Sequence, residues 1–216
     1  MVNEKTLELN ISTEFLNHCR KYDQHAFLFG TTLKQESQFG YDSRVLGRLP
    51  PFWRIAVFQF KKPYRKRKTR LGEEYTFNIN NNTYKDQHIL LYLMSGGRSR
   101  VALYVFPLYV TLQQIRNSSP YLLRRTLFAD VRDIPPWLVD NRSHKVLVYP
   151  KLQIGIVKSE EWKIQLFSFE ELLKDVSKKK MGIPVSMLLE NLKSKEKWKV
   201  KLGSKRPRFT FQVFTR

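Results

Sequence analysis

Residues 53–62 read WRIAVFQFKK, and this stretch decides how the neighbouring segments are interpreted. An apolar run, long enough for a buried strand, ends in Gln59, Phe60 and Lys61. Residues two apart on a strand point to the same face, so Gln59 and Lys61 should emerge side by side. A lysine at the end of an otherwise buried strand is costly unless it has a partner. We therefore predict a strand over residues 53–61 with a polar site at its end.

The flanking sequence predicts helices and further strands on both sides of this strand. Pro50 and Pro51 break regular structure before it, whereas Gly96 and Gly97 end a helix after it. A capping box is predicted at Ser168, because a glutamate follows three residues later. Helices are predicted at 12–23, 87–94, 168–180 and 184–192, and strands at 26–33, 39–46, 101–110 and 144–150. This order predicts an α/β fold with one mixed central sheet flanked by helices.

The chain length of 216 residues suits one domain with an appendage. We predict an α/β core over residues 1–150 and a helical, basic extension over residues 151–216 that packs on it. There are 39 Lys and Arg residues against 19 Asp and Glu residues, which gives a formal net charge of +20. Such an excess favours a polyanionic partner, and nucleic acid is the first expectation. An anionic membrane surface or a purely solubilising charge is the alternative.

The remaining composition predicts a cytoplasmic protein that does not cross a membrane. Cys19 is the only cysteine, so an internal disulfide and a cysteine-based zinc site are both excluded. The four histidines, at positions 18, 25, 88 and 144, show no ligand spacing. The first residues lack the apolar segment of a signal peptide, and the longest apolar run, 101–110, is too short to span a bilayer.

An acidic residue upstream completes a candidate metal-dependent site. Hydrolysis of a phosphodiester uses a divalent metal, and Mg²⁺ prefers carboxylate and amide oxygens. Asp42 lies 17 residues before Gln59, and the Pro50–Pro51 break lets neighbouring strands bring them together. Glu36 is a further candidate ligand. Lys61 would orient the attacking water or offset charge in the transition state.

These residues resemble the PD-(D/E)xK superfamily of restriction-type nucleases, in its glutamine-variant, Mrr-like branch. The resemblance rests on Gly40-Tyr41-Asp42 for the first acid and on Gln59-Phe60-Lys61 for the QxK strand. The segments DQHILLYLM (86–94) and ALYVFP (102–107) resemble the helix and strand that follow the QxK strand in such proteins. The resemblance covers residues 12 to 110.

The resemblance implies a restriction-endonuclease-like fold and a Mg²⁺- or Mn²⁺-dependent nuclease, acting on DNA rather than RNA, in defence against foreign DNA. Asp42 would be a metal ligand, Gln59 would give its side-chain oxygen to the metal or lie beside it, and Lys61 would be catalytic. Glu36 would be the supporting acid, with Glu14 on the first helix as the alternative, because the family places that acid there.

A basic segment directly follows the candidate lysine. Residues 61–70, KKPYRKRKTR, carry seven cations, and the charged loop predicted here would run to residue 74. This loop would grip a nucleic-acid backbone next to the site; a solvated loop or a nuclear-import signal is the alternative. Trp198 in the basic tail and the Arg124–Arg125 pair are secondary candidates for nucleic-acid contact. The candidate nucleic-acid contacts in the loop are Lys62, Arg65, Lys66, Arg67, Lys68 and Arg70.

Each candidate also has a purely structural interpretation. An Asp after Gly-Tyr is typical of a turn, and a lysine at a strand end can cover apolar surface with its alkyl stem. His88 at a helix start would transfer protons or simply pack against the sheet. Two further functions therefore stay open: a non-catalytic nucleic-acid-binding protein, and a partner-binding subunit whose charge recruits it to a nucleoprotein complex. A homodimer or a larger complex is the expected assembly.

Overall fold

The apolar stretch after Pro51 forms strand β3 (Phe52–Phe60), and the first sheet is built around it. The computed structural model of the protein describes residues 2–30, 43–49, 52–79, 87–135, 143–178, 181–184, 186–187 and 190. Strands β1 (Phe27–Gly30) and β2 (Ser43–Leu49) precede β3 in an antiparallel arrangement. On its other side β3 pairs in parallel with β6 (Ala102–Pro107), and β6 pairs antiparallel with β7 (Thr126–Asp130). The sheet is therefore mixed, as predicted.

A second sheet follows the end of β3. Its strands are β4 (Arg65–Thr69), β5 (Gly72–Ile79), β8 (His144–Tyr149), β9 (Ile154–Val157) and β10 (Trp162–Gln165). Their order is β10-β9-β8-β5-β4, and every pair is antiparallel. A two-residue strand, β11 (Ile183–Pro184), returns to the first sheet and pairs with β3.

The fold also contains the helices α1 (Glu4–Cys19), α2 (Gln87–Ser95), α3 (Leu112–Ser118) and α4 (Phe169–Ser177). Short 3₁₀ turns lie at Leu122–Arg125, Val131–Asp133 and Pro150–Leu152. Ser168 caps α4 through the predicted capping box with Glu171. Helix α2 is followed by Gly96 and Gly97, whose φ angles are 55° and 78°. Glycine adopts such left-handed conformations at low cost, so these two residues end the helix.

The first sheet lies between two apolar layers. Successive side chains of β3 and β6 point alternately into one layer and into the other. Val57 and Tyr104 face the second sheet and α2, where they pack with Leu91. Phe58 and Val105 face the opposite side, where they pack in the same cluster as residues of α1 and α4. Gln59 has the same parity as Val57, so it points toward α2 and the second sheet.

Two predictions of secondary structure are wrong. The chain forms two sheets rather than one, because strand 144–150 pairs with β5 and not with the first sheet. The charged segment 61–74 is no loop: residues 65–69 form an edge strand, where side chains on both faces can reach water.

Other boundaries also differ. Helix α1 begins at Glu4 rather than residue 12, with Asn3 as its N-cap, because Leu7, Ile11 and Phe15 continue one apolar stripe. Pro184 lies in strand β11, so it does not start the helix predicted over 184–192, although residues 186–187 and 190 within that range are helical. The second sheet takes strands from both sides of residue 150, and the division at that position stays a prediction.

Candidate functional site

The candidate site lies where the parallel strands β3 and β6 end. The Lys61 backbone N–H donates to the Val105 carbonyl at 3.0 Å, which extends the ladder by one residue beyond β3. This fixes the Lys61 backbone against β6 and holds its side chain in the interior, where only 7% of the residue is exposed. The predicted buried strand is therefore present, and Lys61 directly follows its last residue, as predicted.

Two glutamines and this lysine form a buried polar network. The Lys61 Nζ donates to Gln87 Oε1 at 2.6 Å, and Gln87 Nε2 donates to Gln59 Oε1 at 2.8 Å. Gln59 Nε2 in turn donates to the Phe60 carbonyl at 3.2 Å. An ammonium group can only donate, so the Gln87 amide must turn its oxygen toward Lys61. Gln87 therefore orders both predicted residues through one side chain.

Gln87 is the residue that the sequence interpretation missed. It is the first residue of α2, and the crossover from β3 to β6 brings that end of the helix back over the end of β3. The sequence predicts the start of this helix at residue 87, but the functional hypothesis for the segment, proton transfer, concerns His88 rather than Gln87. The signal was a polar residue at the buried end of an apolar helix, since Gln87 is only 2% exposed.

The beginning of α1 brings acidic side chains to the same strand end. Glu4 Oε2 accepts a hydrogen bond from the Lys62 backbone N–H at 3.0 Å. Glu8 lies one helical turn further on the same face, is 6% exposed, and accepts from Lys5 Nζ at 2.8 Å. The sequence interpretation did not consider Glu8, because it placed the start of the helix after it.

Glu14, the predicted first-helix alternative, has a different position. Its Oε2 accepts from the backbone N–H groups of Leu122 and Leu123 at 2.7 and 3.1 Å. Burial raises the pKa of the Glu14 carboxyl, although these two hydrogen bonds act in the opposite direction. The carboxylate thus ties α1 to the 3₁₀ turn at Leu122–Arg125.

The predicted metal ligands Asp42 and Glu36 lie outside the described residues. Within the described ranges, the structure contains no group of three His, Cys, Asp or Glu side chains that could hold a metal ion. Gln59 Oε1 already accepts from Gln87, and the Lys61 ammonium opposes a nearby cation. The described oxygens alone therefore do not fit Mg²⁺, and further carboxylates would have to come from Asp42 and Glu36.

His88 forms a separate buried contact next to this network. Its Nε2 lies 2.7 Å from the Ile134 carbonyl, so this nitrogen carries the proton, and Nδ1 lies 3.0 Å from the Tyr104 hydroxyl, from which it accepts. The two rings stack at 10°, with centroids 5.9 Å apart. Burial lowers the pKa of His88 to about 4. These contacts favour the packing interpretation of His88, because both ring nitrogens are used inside the protein.

The basic segment forms the hairpin β4–β5, and its cations divide into two groups. Lys66 pairs with Glu73, and Arg67 binds both carboxylate oxygens of Glu74. The hydrogen bond from Lys66 lowers the pKa of Glu73. Among the described residues, the other four candidates form no ion pair, and all are exposed: Lys62, Arg65, Lys68 and Arg70.

The Arg124–Arg125 pair lies at the end of a 3₁₀ turn, just before β7. Arg125 donates to the Tyr75 hydroxyl at 3.1 Å, and its Nη2 lies 3.7 Å from a Glu73 carboxylate oxygen. The Arg124 guanidinium lies 4.4 Å from the centre of the exposed Tyr121 ring. Arg125 therefore joins the β4–β5 hairpin to the start of β7 in the first sheet. Trp198 lies outside the described residues.

Comparison of the chain with protein-family models, with curated proteins and with solved structures finds no match in any of the three. In the described part of the chain, no helix has the length and apolar character needed to cross a bilayer.

Proposed function

We propose that the protein is a Mg²⁺- or Mn²⁺-dependent nuclease of the restriction-endonuclease-like fold, acting on DNA. The observation that carries the proposal is the burial of the Lys61 ammonium at the end of β3, where it donates to Gln87 Oε1. Burying an ammonium group removes its hydration, which costs stability. Departures from the rules of stable packing concentrate at functional sites, so Lys61 is best explained by chemistry.

The topology around this lysine supports the proposal. After the intervening β4–β5 hairpin, helix α2 and the parallel strand β6 follow β3 in the order that the resemblance implies for a QxK strand. The start of α1 adds Glu8, a buried carboxylate, near the same strand end. Glu8 fits the supporting acid on the first helix better than Glu14, whose carboxylate is engaged at Leu122 and Leu123.

The roles of the residues follow from their chemistry. Asp42 and Glu36 would supply carboxylate oxygens to the metal, together with Gln59. The chemistry that such a metal would supply, when bound, is polarisation of the phosphate and a lowered pKa of a bound water. Lys61 would donate an N–H to the attacking water or to a phosphate oxygen whose charge increases in the transition state. When no substrate is bound, Gln87 would hold the Lys61 ammonium in place. The resemblance extends the proposal to defence against foreign DNA.

Lys61→Ala tests this assignment, with Lys62→Ala as the matched control. Both remove one lysine from the same strand end, but Lys61 is buried and the neighbouring Lys62 is exposed. We expect Lys61→Ala to reduce Mg²⁺- or Mn²⁺-dependent cleavage by about 100-fold or more. Lys62→Ala should retain cleavage within about fivefold, since it removes one surface charge. Folding of both variants is checked by circular dichroism.

The enzyme assignment fails if Lys61→Ala cleaves as well as the wild-type protein. It fails equally if the wild-type protein cleaves no DNA or RNA, single- or double-stranded, with either metal. A titration with EDTA must also abolish cleavage, because the chemistry requires a divalent ion.

A non-catalytic nucleic-acid-binding protein is the second candidate. It is favoured by the direct hydrogen bonds that link Lys61, Gln87 and Gln59, because such a network also stabilises a fold without chemistry. Tight, salt-sensitive binding in EDTA, combined with no cleavage under any metal condition, would select this candidate.

A further inference from the structure

The side of the second sheet that faces away from the first sheet, called the outer face below, has a regular composition. The strand register places five residues in one row across all five strands. Their neighbours Tyr75, Val146 and Val157 point into the core, so this row points outward. The row consists of Arg65, Thr76, Leu147, Ile156 and Lys163.

Cations lie at the margins of the outer face. Arg65 is on one edge strand and Lys163 on the other, and four strand spacings of about 4.8 Å separate them by roughly 19 Å. Lys145 lies on the central strand β8, at another outward position. All three side chains are exposed, and none forms an ion pair with the residues that the structure describes.

The centre of the outer face is apolar. Leu147, Ile154 and Ile156 are partly exposed there, on neighbouring strands. Tyr64, just before β4, is 40% exposed, and the Lys145 ammonium lies 5.9 Å from its ring centre. The only acid that the described strands direct outward is Glu74, which is buried and held by Arg67 and Tyr149. The face therefore combines an apolar floor with unneutralised positive margins.

We propose that the outer face binds single-stranded nucleic acid. The margins would contact phosphates through Arg65, Lys145 and Lys163, while bases lie on the Leu147–Ile156 floor and stack on Tyr64. The inference deepens the proposed function, because it names the strand state of the nucleic acid and the surface that holds it.

The apolar floor distinguishes single strands from other polyanions. A duplex turns phosphates and sugars outward and keeps the faces of its bases stacked inside, so it would gain little from Leu147 or Ile156. An acidic protein segment would satisfy the cations but would leave the exposed ring of Tyr64 without a stacking partner. Unpaired bases match both parts of the surface, because every base has an apolar π-face next to a phosphate.

Fluorescence anisotropy with a labelled oligothymidine, measured in EDTA on the full chain, tests the cationic margins. The triple variant Arg65→Ala/Lys145→Ala/Lys163→Ala is compared with Lys21→Ala/Arg116→Ala/Lys174→Ala, which removes the same charges from exposed helical or loop positions elsewhere. We expect the outer-face variant to bind at least about tenfold more weakly than the control variant. The salt dependence of its binding should also be weaker. The magnitude of the slope of log affinity against log salt should be smaller by about 2, since each single-strand phosphate contact contributes about 0.7.

Tyr64→Ala tests the stacking part separately. Binding to oligothymidine should weaken by about fivefold or more, whereas binding to inorganic polyphosphate, which has no bases, should not change. A matched duplex should bind the wild-type protein more weakly than the single strand and should respond less to the triple variant.

The inference is overturned if the two triple variants bind oligothymidine equally, or if the wild-type protein does not bind it. It is also overturned if the triple variant weakens duplex binding as strongly as single-strand binding. Binding in EDTA does not depend on cleavage, so the two proposals are tested separately. If Lys61→Ala has no effect on cleavage, the result for outer-face binding still stands. If the outer-face variant binds normally, the result for cleavage still stands.

Discussion

Lys61 and Lys66 are five residues apart in sequence, yet the fold gives them opposite environments. Lys61 is buried at the end of β3 and donates to the neutral Gln87 amide. Lys66 lies on the edge strand β4, pairs with the Glu73 carboxylate, and leaves 27% of its side chain exposed. The first arrangement costs desolvation energy, whereas the second is a surface ion pair of small net effect.

The comparison extends to the polar groups of the two sheets. At the first sheet, Gln59 of β3 and the neighbouring Gln87 and His88 of α2 are buried and hydrogen-bonded within the protein. On the β4–β5 hairpin of the second sheet, polar groups form ion pairs or face solvent. Substitutions should therefore have large effects in the first region and small effects in the second.

Acidification should have the largest effect, through His88. Its pKa is about 4 in the folded protein and 6.5 in an ordinary environment, so the unfolded chain takes up a proton first as the pH falls. Stability from this residue is complete above pH 6.5 and decreases as the pH falls toward 4, by about 2 to 3 kcal/mol at pH 4.5. Urea denaturation at pH 7 and pH 4.5 measures it. The His88→Gln variant should lose less stability on acidification than the wild-type protein does.

The control for this prediction is His25→Gln, which changes an exposed histidine. It should keep the wild-type dependence of stability on pH. If His88→Gln loses as much stability between pH 7 and pH 4.5 as the wild-type protein, burial of the histidine is not the cause.

Gln87→Leu should have the next largest effect. It removes the acceptor of the Lys61 hydrogen bond and the donor to Gln59 in one buried position. Loss of such partners costs roughly 1–3 kcal/mol. Gln113→Leu is the matched control, because Gln113 is an exposed helical glutamine, and it should change stability by less than about 0.5 kcal/mol. Equal effects in urea denaturation would contradict the importance of the network.

Ser12→Ala should stabilise the protein. The Ser12 hydroxyl is buried in α1 next to Phe15 and Phe58, and its oxygen has no hydrogen-bond partner among the described residues. Removing an unsatisfied hydroxyl and gaining helix propensity should add about 1 kcal/mol to the free energy of unfolding. Thr13→Ala is the control, since Thr13 is exposed and bonded to the Leu9 carbonyl. Thermal denaturation should show a larger rise in Tm for Ser12→Ala.

The smallest effect is expected at Lys66 and Glu73. A double-mutant cycle with Lys66→Ala and Glu73→Ala should give a coupling energy below about 1 kcal/mol, because both side chains are partly exposed. The coupling should decrease further in 0.5 M salt, where charges are screened within about 4–5 Å. A salt-independent coupling as large as the Gln87 effect would abolish the contrast between the two regions.

The sequence predicted the elements whose patterns are local. Strand β3, helix α2 and strand β6 lie close to their predicted positions, because apolar periodicity and the two glycines are visible within a short window. The capping box at Ser168 was also confirmed, since it needs only Glu171 three residues away. The adjacency of Gln59 and Lys61 on one strand followed from the period of two.

The elements that the sequence did not reveal depend on distant partners. The strand at residues 65–69 has no apolar alternation, and it exists because β5 pairs with it and supplies Glu73 and Glu74 to its cations. The second sheet likewise forms because β8 pairs with β5 rather than with a strand of the first sheet. Edge strands with two solvated faces carry little periodic signal, so single-sequence patterns miss them.

By itself, the sequence determined a strongly basic α/β chain with a lysine leaving a buried strand, because net charge and local periodicity are properties of neighbouring residues. Only the tertiary structure decided that Gln87, 26 residues after Lys61, would accept its hydrogen bond. It also decided that Arg65, Lys145 and Lys163 would lie on one face of a second sheet. Contacts of that kind depend on how the crossover returns and on strand register, which hydrophobic burial fixes for the whole chain at once.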